Sequence, residues 1–246
     1  MKRSCATAIG LLMAFATCTA RADTVTDWNQ TAVEVMKGAG VGGNPWARTL
    51  AMVHVAMSDA INSVQPRYAR YVASIPNKPA ASAEVAAAAA ARKILLDLYP
   101  NQKAMVDDAF TASIKGVPDG AAKSDGIALG EQAAATVQAD RSNDGTDAPD
   151  TYRPVTSPDV WVPTTLPLFS QYAQAKPWGF KSADQFRPGP PPALSSAIYA
   201  RDYNETKKLG GAKSTDRTPE QTEAVKFWTQ ANLCLLYTSP SPRDTR

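Results

Sequence analysis

Apolar residues recur at spacings of three and four from Trp46 through Leu50, Val53, Met57 and Ile61 to Val64, which draws one stripe along a helix. Asn44 followed by Pro45 reads as an N-cap and first-turn pair opening that helix, and Pro66 stops the stripe. Ahead of it, "VTDWNQTAVEVMKGAG" predicts a shorter helix ended by glycines. Beyond it lies the proline-containing link "SIPNKPAAS". Ser82 to Tyr99, "SAEVAAAAAARKILLDLY", then predicts an alanine-rich helix of high intrinsic propensity. Its small face would let a neighbouring helix approach closely, and its apolar ending requires a partner. Further helices are expected from Asn101 to Lys115, closed by Gly116, and from Pro118 to about Asp140, with Ile127, Ala134 and Val137 on one side. No strand alternation of useful length interrupts them, so the expected class is all-α.

The helical pattern breaks between Ser142 and Leu194, where ten of the 19 prolines fall. Tyr152, Trp161, Phe169, Tyr172, Trp178, Phe180 and Phe186 are interleaved with them, more rings than a disordered linker carries. The expectation is an ordered, extended crossover loop pinned onto the helices by its aromatic side chains. Helices resume over Ser195–Gly210 and again at "TPEQTEAVKFWTQANL", where Thr218 is the cap and Pro219 the first helical residue.

The two ends change the picture of charge and cysteine. "MKRSCATAIGLLMAFATCTARA" has a basic start, a short apolar run and an Ala20-Arg21-Ala22 ending, the pattern of a secretory signal. The mature chain is expected to start at Asp23, in a secreted or periplasmic location. The whole chain has 26 basic and 23 acidic residues; removing Lys2, Arg3 and Arg21 leaves 23 against 23. No basic surplus points to nucleic acid or to an anionic membrane surface. Two of the three cysteines, Cys5 and Cys18, lie in the signal, and Cys234 lies at the far end. The region between therefore offers no disulfide framework, zinc cluster or thiol nucleophile.

Candidate chemistry is sparse. His54 is the only histidine, and it lies on or beside the apolar stripe, four residues after Leu50 and three before Met57. A general base is one reading, but with no cysteine or serine motif to serve, a packed, hydrogen-bonded histidine is the expected role. "DRSNDGTDAPD", Asp140 to Asp150, hints at a calcium loop, but Thr151 stands where the closing acidic ligand is required, so a polar turn around Asn143-Asp144-Gly145 is expected. Arg48 and Asp59 fall opposite the stripe, consistent with solvated or ion-paired positions. "KSADQFRP" sets Lys181 six residues before Arg187, whereas the oxyanion-binding signature it approximates has a separation of seven on a helix. With "GPPP" following at once, the stretch is not expected to be helical or to hold an anion. No residue is assigned to catalysis, to a cofactor or to a metal.

Several segments, in order and spacing, carry a resemblance: "WNQTAVEVM", "NPWARTLAMVHVAMSDAINSVQPRYARY", "DGTDAPDTYRP", "WVPT", "KPWGFKSADQFRPGPPPALSSAIYARDYNETKKLG" and "RTPEQTEAVKFW". Together, from about Thr24 to Ala231, they resemble the N-terminal half of secreted bacterial vanadium-dependent haloperoxidases, relatives of the type 2 phosphatidic acid phosphatases. The resemblance implies two helical bundles, of which this chain carries the first, with the oxyanion site in the second. It also implies a parent enzyme in which Lys, two Arg, a Ser-Gly-His segment and an axial His hold vanadate, and in which hydrogen peroxide oxidises a halide. This chain has no Ser-Gly-His and no second histidine, so none of those residues can be placed on it; no cofactor and no activity are expected of the fragment. "CLLYTSPSPRD" reads like one frame of a sequencing-library adapter, which implies that the protein's own sequence ends near Leu233. The expected organisation is a signal over 1–22, an incomplete helical domain over 23–233, and an artefactual tail over 234–246. Alternatives are a phosphomonoesterase of the same superfamily and a non-catalytic secreted helical binding module.

Overall fold

The computed structural model describes residues 23–72, 75–158, 160, 162–163 and 167–228. The expected signal peptide and the adapter-like tail lie outside the described residues, as does Trp161. The described residues form seven α-helices and no strand: α1 Thr24–Gly38, α2 Asn44–Val64, α3 Ala83–Leu98, α4 Lys103–Ile114, α5 Ala121–Arg141, α6 Ala197–Gly210 and α7 Pro219–Trp228. The all-α class therefore holds.

Local chemistry explains where the helices begin. Asp23 caps α1 by accepting from the Thr26 amide at 2.8 Å, and Ser82 Oγ accepts from the Val85 amide to start α3. At α7, Thr218 Oγ1 accepts from the Gln221 amide while Gln221 Oε1 accepts from the Thr218 amide, a reciprocal capping box. At two other starts a glycine holds the cap position. Gly43, with φ of 65°, occupies the cap position of α2, so Asn44 is already inside the helix and its side chain caps nothing. The helix expected from Pro118 begins at Ala121, behind Gly120 with φ of 151°, a backbone state that suits glycine.

The alanine-rich α3 is the central element, packed against α1, α2, α4 and α5. Every residue from Val85 to Ala91 is buried, together with Ile94 and Leu95. A run of alanines buries little area per residue, so it stabilises only if its neighbour comes close enough to recover dispersion contacts. The neighbour is α5, which presents Gly126, Leu129, Gly130, Ala133, Ala134 and Val137. A Cβ added at Gly130 would lie 2.2 Å from the Ala86 carbonyl oxygen. Ile127 is only half-buried, off this face, because the contact follows the glycines rather than the larger side chains.

The stripe on α2 is buried over Val53, Met57 and Val64, joined by Met52, Ala56 and Ala60; Leu50 and Ile61 are half-buried at its margins. Trp46 packs in a smaller cluster with Val33 and Met36 of α1, its indole donating to the Val41 carbonyl. In contrast, α6 and α7 bury no side chain. Phe186, Ile198, Tyr203, Phe227 and Trp228 are exposed. The crossover is thus pinned over only part of its length: Trp178 packs against the core and Tyr172 is half-buried, whereas Tyr152, Phe180 and Phe186 stand in solvent. No helix among the described residues is long and apolar enough to cross a membrane.

Candidate functional site

The polar features that sequence spacing left unconnected converge where the crossover meets the start of α2 and the end of α5. Asp59 is buried, not solvated: its carboxylate accepts from the backbone amides of Tyr71 and Val72, both at 2.8 Å, and so folds the loop after α2 back onto the helix. Tyr71 then donates its hydroxyl to the Trp178 carbonyl at 2.7 Å and receives a hydrogen bond from Arg141.

Arg141, the last residue of α5, is fully buried. Its guanidinium donates to the carbonyls of Lys176 at 2.8 Å and Pro177 at 3.2 Å and lies 3.6 Å from the Trp178 ring centroid. Nε is 3.1 Å from Asp140 Oδ2, although off the hydrogen-bond line, which leaves it without a donor contact. This cation ties two loops to one helix end, and its side chain is too deeply buried to meet a ligand.

Arg48 is different. It donates from Nε to Asp144 Oδ2 at 2.8 Å and from Nη2 to the Arg141 carbonyl at 3.0 Å; among the described residues Nη1 has no hydrogen-bond partner. Burial pushes the Asp144 carboxyl upward, but the hydrogen bonds from Arg48 and from the Thr146 hydroxyl and amide outweigh it and hold the group below the usual aspartate range. The expected turn at Asn143-Asp144-Gly145 is therefore a buried ion-pair joint. Gly145 has φ of 88°, and a Cβ there would meet the Gln174 carbonyl at 3.2 Å.

Clefts open on either side of Arg48. One, of about 420 Å³, is largely apolar and includes Ala47, Tyr172, Trp178 and Phe180. The other, of about 280 Å³, is lined by Arg48, Thr49, Tyr99, Asp147, Phe169 and Gln171 among others. Thr49 and Tyr99 share a 2.7 Å hydrogen bond. Burial pushes the Tyr99 phenol up, against the Thr49 hydrogen bond and the Arg48 charge. Tyr172 is likewise raised, first by burial, with Arg48 opposing and Asp144 and Asp147 adding to it.

Two irregularities fall on the walls of the smaller cleft. Phe169 is the only non-glycine residue with positive φ among the described residues, at 62°. A bulky side chain held there is strained, and such strain concentrates at functional sites. Its ring lies edge-on to Tyr172 and against Gly43, where an added Cβ would be 3.3 Å from the ring. The carboxamide oxygen of Gln171 is buried without a hydrogen-bond partner, while its nitrogen donates to the Thr146 carbonyl at 3.2 Å.

His54 lies elsewhere, half-buried, with Nε2 2.9 Å from Asn29 Oδ1; burial lowers its pKa. Lys181 and Arg187 are both exposed on a succession of turns, so the pair does not converge. A third cleft, of about 650 Å³, is rimmed by Asp23, Asp27 and Glu84 and has no lysine or arginine in its lining. Among the described residues no cluster of His, Cys, Asp or Glu is arranged to hold a metal.

The sequence pattern indicated the turn at Asn143-Asp144-Gly145 and the unhelical Lys181–Arg187 stretch, but neither the burial of that turn nor the Arg48 cleft. Its one sequence signal was the Phe169–Tyr172 pair inside a proline-rich stretch. No protein-family model, curated protein or solved structure matches this chain.

Proposed function

We propose that residues 23–228 are the first helical bundle of a secreted vanadium-dependent haloperoxidase-like enzyme, and that this bundle supports the reaction without holding the oxyanion. The observation that carries the reading is the set of family-like segments running in order from "WNQTAVEVM" to "RTPEQTEAVKFW". The electrostatics are compatible with it. Arg141 is buried and bound to backbone carbonyls and Tyr71, and Arg48 is neutralised by Asp144 with Asp147 close by. An oxyanion site needs several uncommitted cations converging on one point, and neither arginine supplies that. In the parent enzyme, vanadate, hydrogen peroxide and halide meet in the second bundle.

A gene product whose reading frame continues past residue 233 tests this. It is expected to carry a Lys-x6-Arg-Pro and a Ser-Gly-His, and to brominate a dye in the presence of peroxide and vanadate. A continuation without those motifs and without turnover refutes the proposal. The second reading, a non-catalytic helical binding module, is favoured by one observation, the strained, partly unsatisfied cleft beside Arg48.

A further inference from the structure

Aspartate followed by glycine occurs three times in the chain, at Asp119-Gly120, Asp125-Gly126 and Asp144-Gly145. Each pair carries the same latent chemistry, because a glycine has no side chain to keep its amide away from the preceding carboxyl group. For the two to react, the glycine N–H must be free of other bonds and the peptide free to turn toward Cγ. The structure grants that freedom at one pair. Asp125 and Gly126 lie within α5, where the repeating ladder of amide–carbonyl bonds fixes the backbone. Asp125 also accepts from Lys78 at 2.8 Å, and a Cβ added at Gly126 would stand 2.9 Å from the Ser82 carbonyl oxygen, so that segment has no room to turn. Asp144 is buried, its carboxylate accepts from Arg48 and Thr146, and Gly145 abuts the Gln174 carbonyl.

Asp119-Gly120 differs on each count. The pair lies in the turn between α4 and α5, and the Asp119 side chain is 98% exposed. Its ion pair with Lys123, at 3.0 Å, is a surface contact of the kind that constrains a carboxylate weakly. Among the described residues the Gly120 amide donates no hydrogen bond, and a Cβ added there would meet nothing within 4 Å. We propose that Asp119 is a site of spontaneous backbone isomerisation, converted to isoaspartate through a cyclic imide formed with Gly120. The Gly120 nitrogen bonds to Asp119 Cγ and loses its proton, and one carboxyl oxygen departs as water. Water then adds to either carbonyl of the imide. Cleavage of the new N–Cγ bond restores aspartate, whereas cleavage of the original peptide bond leaves the chain running through Cγ. The water lost equals the water gained, and nothing is oxidised or reduced. The product adds one CH₂ to the main chain directly before α5, whose first turn hangs on the Gly120 carbonyl through the amides of Lys123 and Ser124. The inference is independent of halide oxidation.

The test is incubation of the folded 246-residue chain at neutral pH in heavy-oxygen water, followed by trypsin digestion in ordinary water. Cleavage after Lys115, Lys123 and Arg141 puts the three pairs on three different peptides. Each passage through the imide leaves one heavy oxygen behind, and electron-transfer fragmentation tells isoaspartate from aspartate. Both are expected to accumulate with time at Asp119 and to stay at background at Asp125 and Asp144. In urea all three pairs should react at similar rates, since the selection comes from the fold. Asp119→Glu keeps the charge on a fully exposed side chain but lengthens the ring that must close, and its label at position 119 should fall to background. Absence of isoaspartate at Asp119 in the folded chain, equal labelling of the three pairs there, or undiminished labelling in the Asp119→Glu chain would overturn the proposal.

Discussion

Adding one methyl group at Gly130 sets two effects of opposite sign against each other. Glycine inside a helix costs about 1 kcal/mol relative to alanine, so Gly130→Ala should stabilise α5 if nothing else intervened. The structure intervenes. The new Cβ would stand 2.2 Å from the Ala86 carbonyl oxygen, 2.8 Å from Ala89 Cβ and 2.8 Å from the Ala90 nitrogen. These are mostly backbone atoms of the central helix and cannot swing aside, so α3 and α5 must separate along the contact that buries the alanine run. Overpacking of this kind costs about 1–3 kcal/mol, and rigid backbone neighbours put it at the upper end. The net expectation is a loss of roughly 1–2 kcal/mol after the propensity gain, or a Tm lowered by roughly 2–8 °C for a domain of this size. Thermal melts followed by far-UV circular dichroism measure it. Gly126→Ala should lose less, since its nearest contacts are at 2.9 and 3.0 Å. Ala128→Gly, exposed on the same helix, reports the propensity alone. A Gly130→Ala chain that melts at or above the wild type would refute the close α3–α5 contact.

Other perturbations separate core from surface and anchor from ligand site. Met57→Ala should cost about 2–5 kcal/mol in urea denaturation, with Leu50→Ala costing less because Leu50 is only half-buried; the reverse order would misplace the stripe. His54 has a folded-state pKa lowered by burial, so the unfolded chain takes up the proton first. Its contribution is therefore intact above the unfolded value near 6.5 and is lost as pH falls below it, a drop in urea midpoint that His54→Gln should remove. Arg141→Met should free the 174–178 segment from α5 and bring forward limited proteolysis within the crossover, while unchanged cleavage would mean that Trp178 packing suffices alone. The 246-residue chain should show neither peroxide-dependent bromination with excess vanadate nor phosphatase turnover. Robust activity abolished by His54→Ala would overturn both the proposed division of labour and the structural role of His54.

Most of what can be read from the sequence of this protein is local. The helices at 24–38, 44–64, 83–98 and 103–114 follow from caps, breakers and a three-to-four spacing, all of which act within a turn or two of themselves. The small face of the alanine run was legible for the same reason, and the close neighbour it allowed was found in Gly126 and Gly130 of α5. Tertiary structure decided the rest. Asp59 looked solvated on a helical wheel because a wheel cannot show a loop returning to cover it; its partners are 12 and 13 residues away. Arg48 meets Asp144 across 96 residues, and Arg141 meets Tyr71 across 70. Phe169 adopts a left-handed backbone that its own residue type disfavours, which only surrounding contacts can impose. The smaller cleft beside Arg48 is assembled from four stretches of chain that no periodicity links, so its chemistry exists only once the crossover has docked.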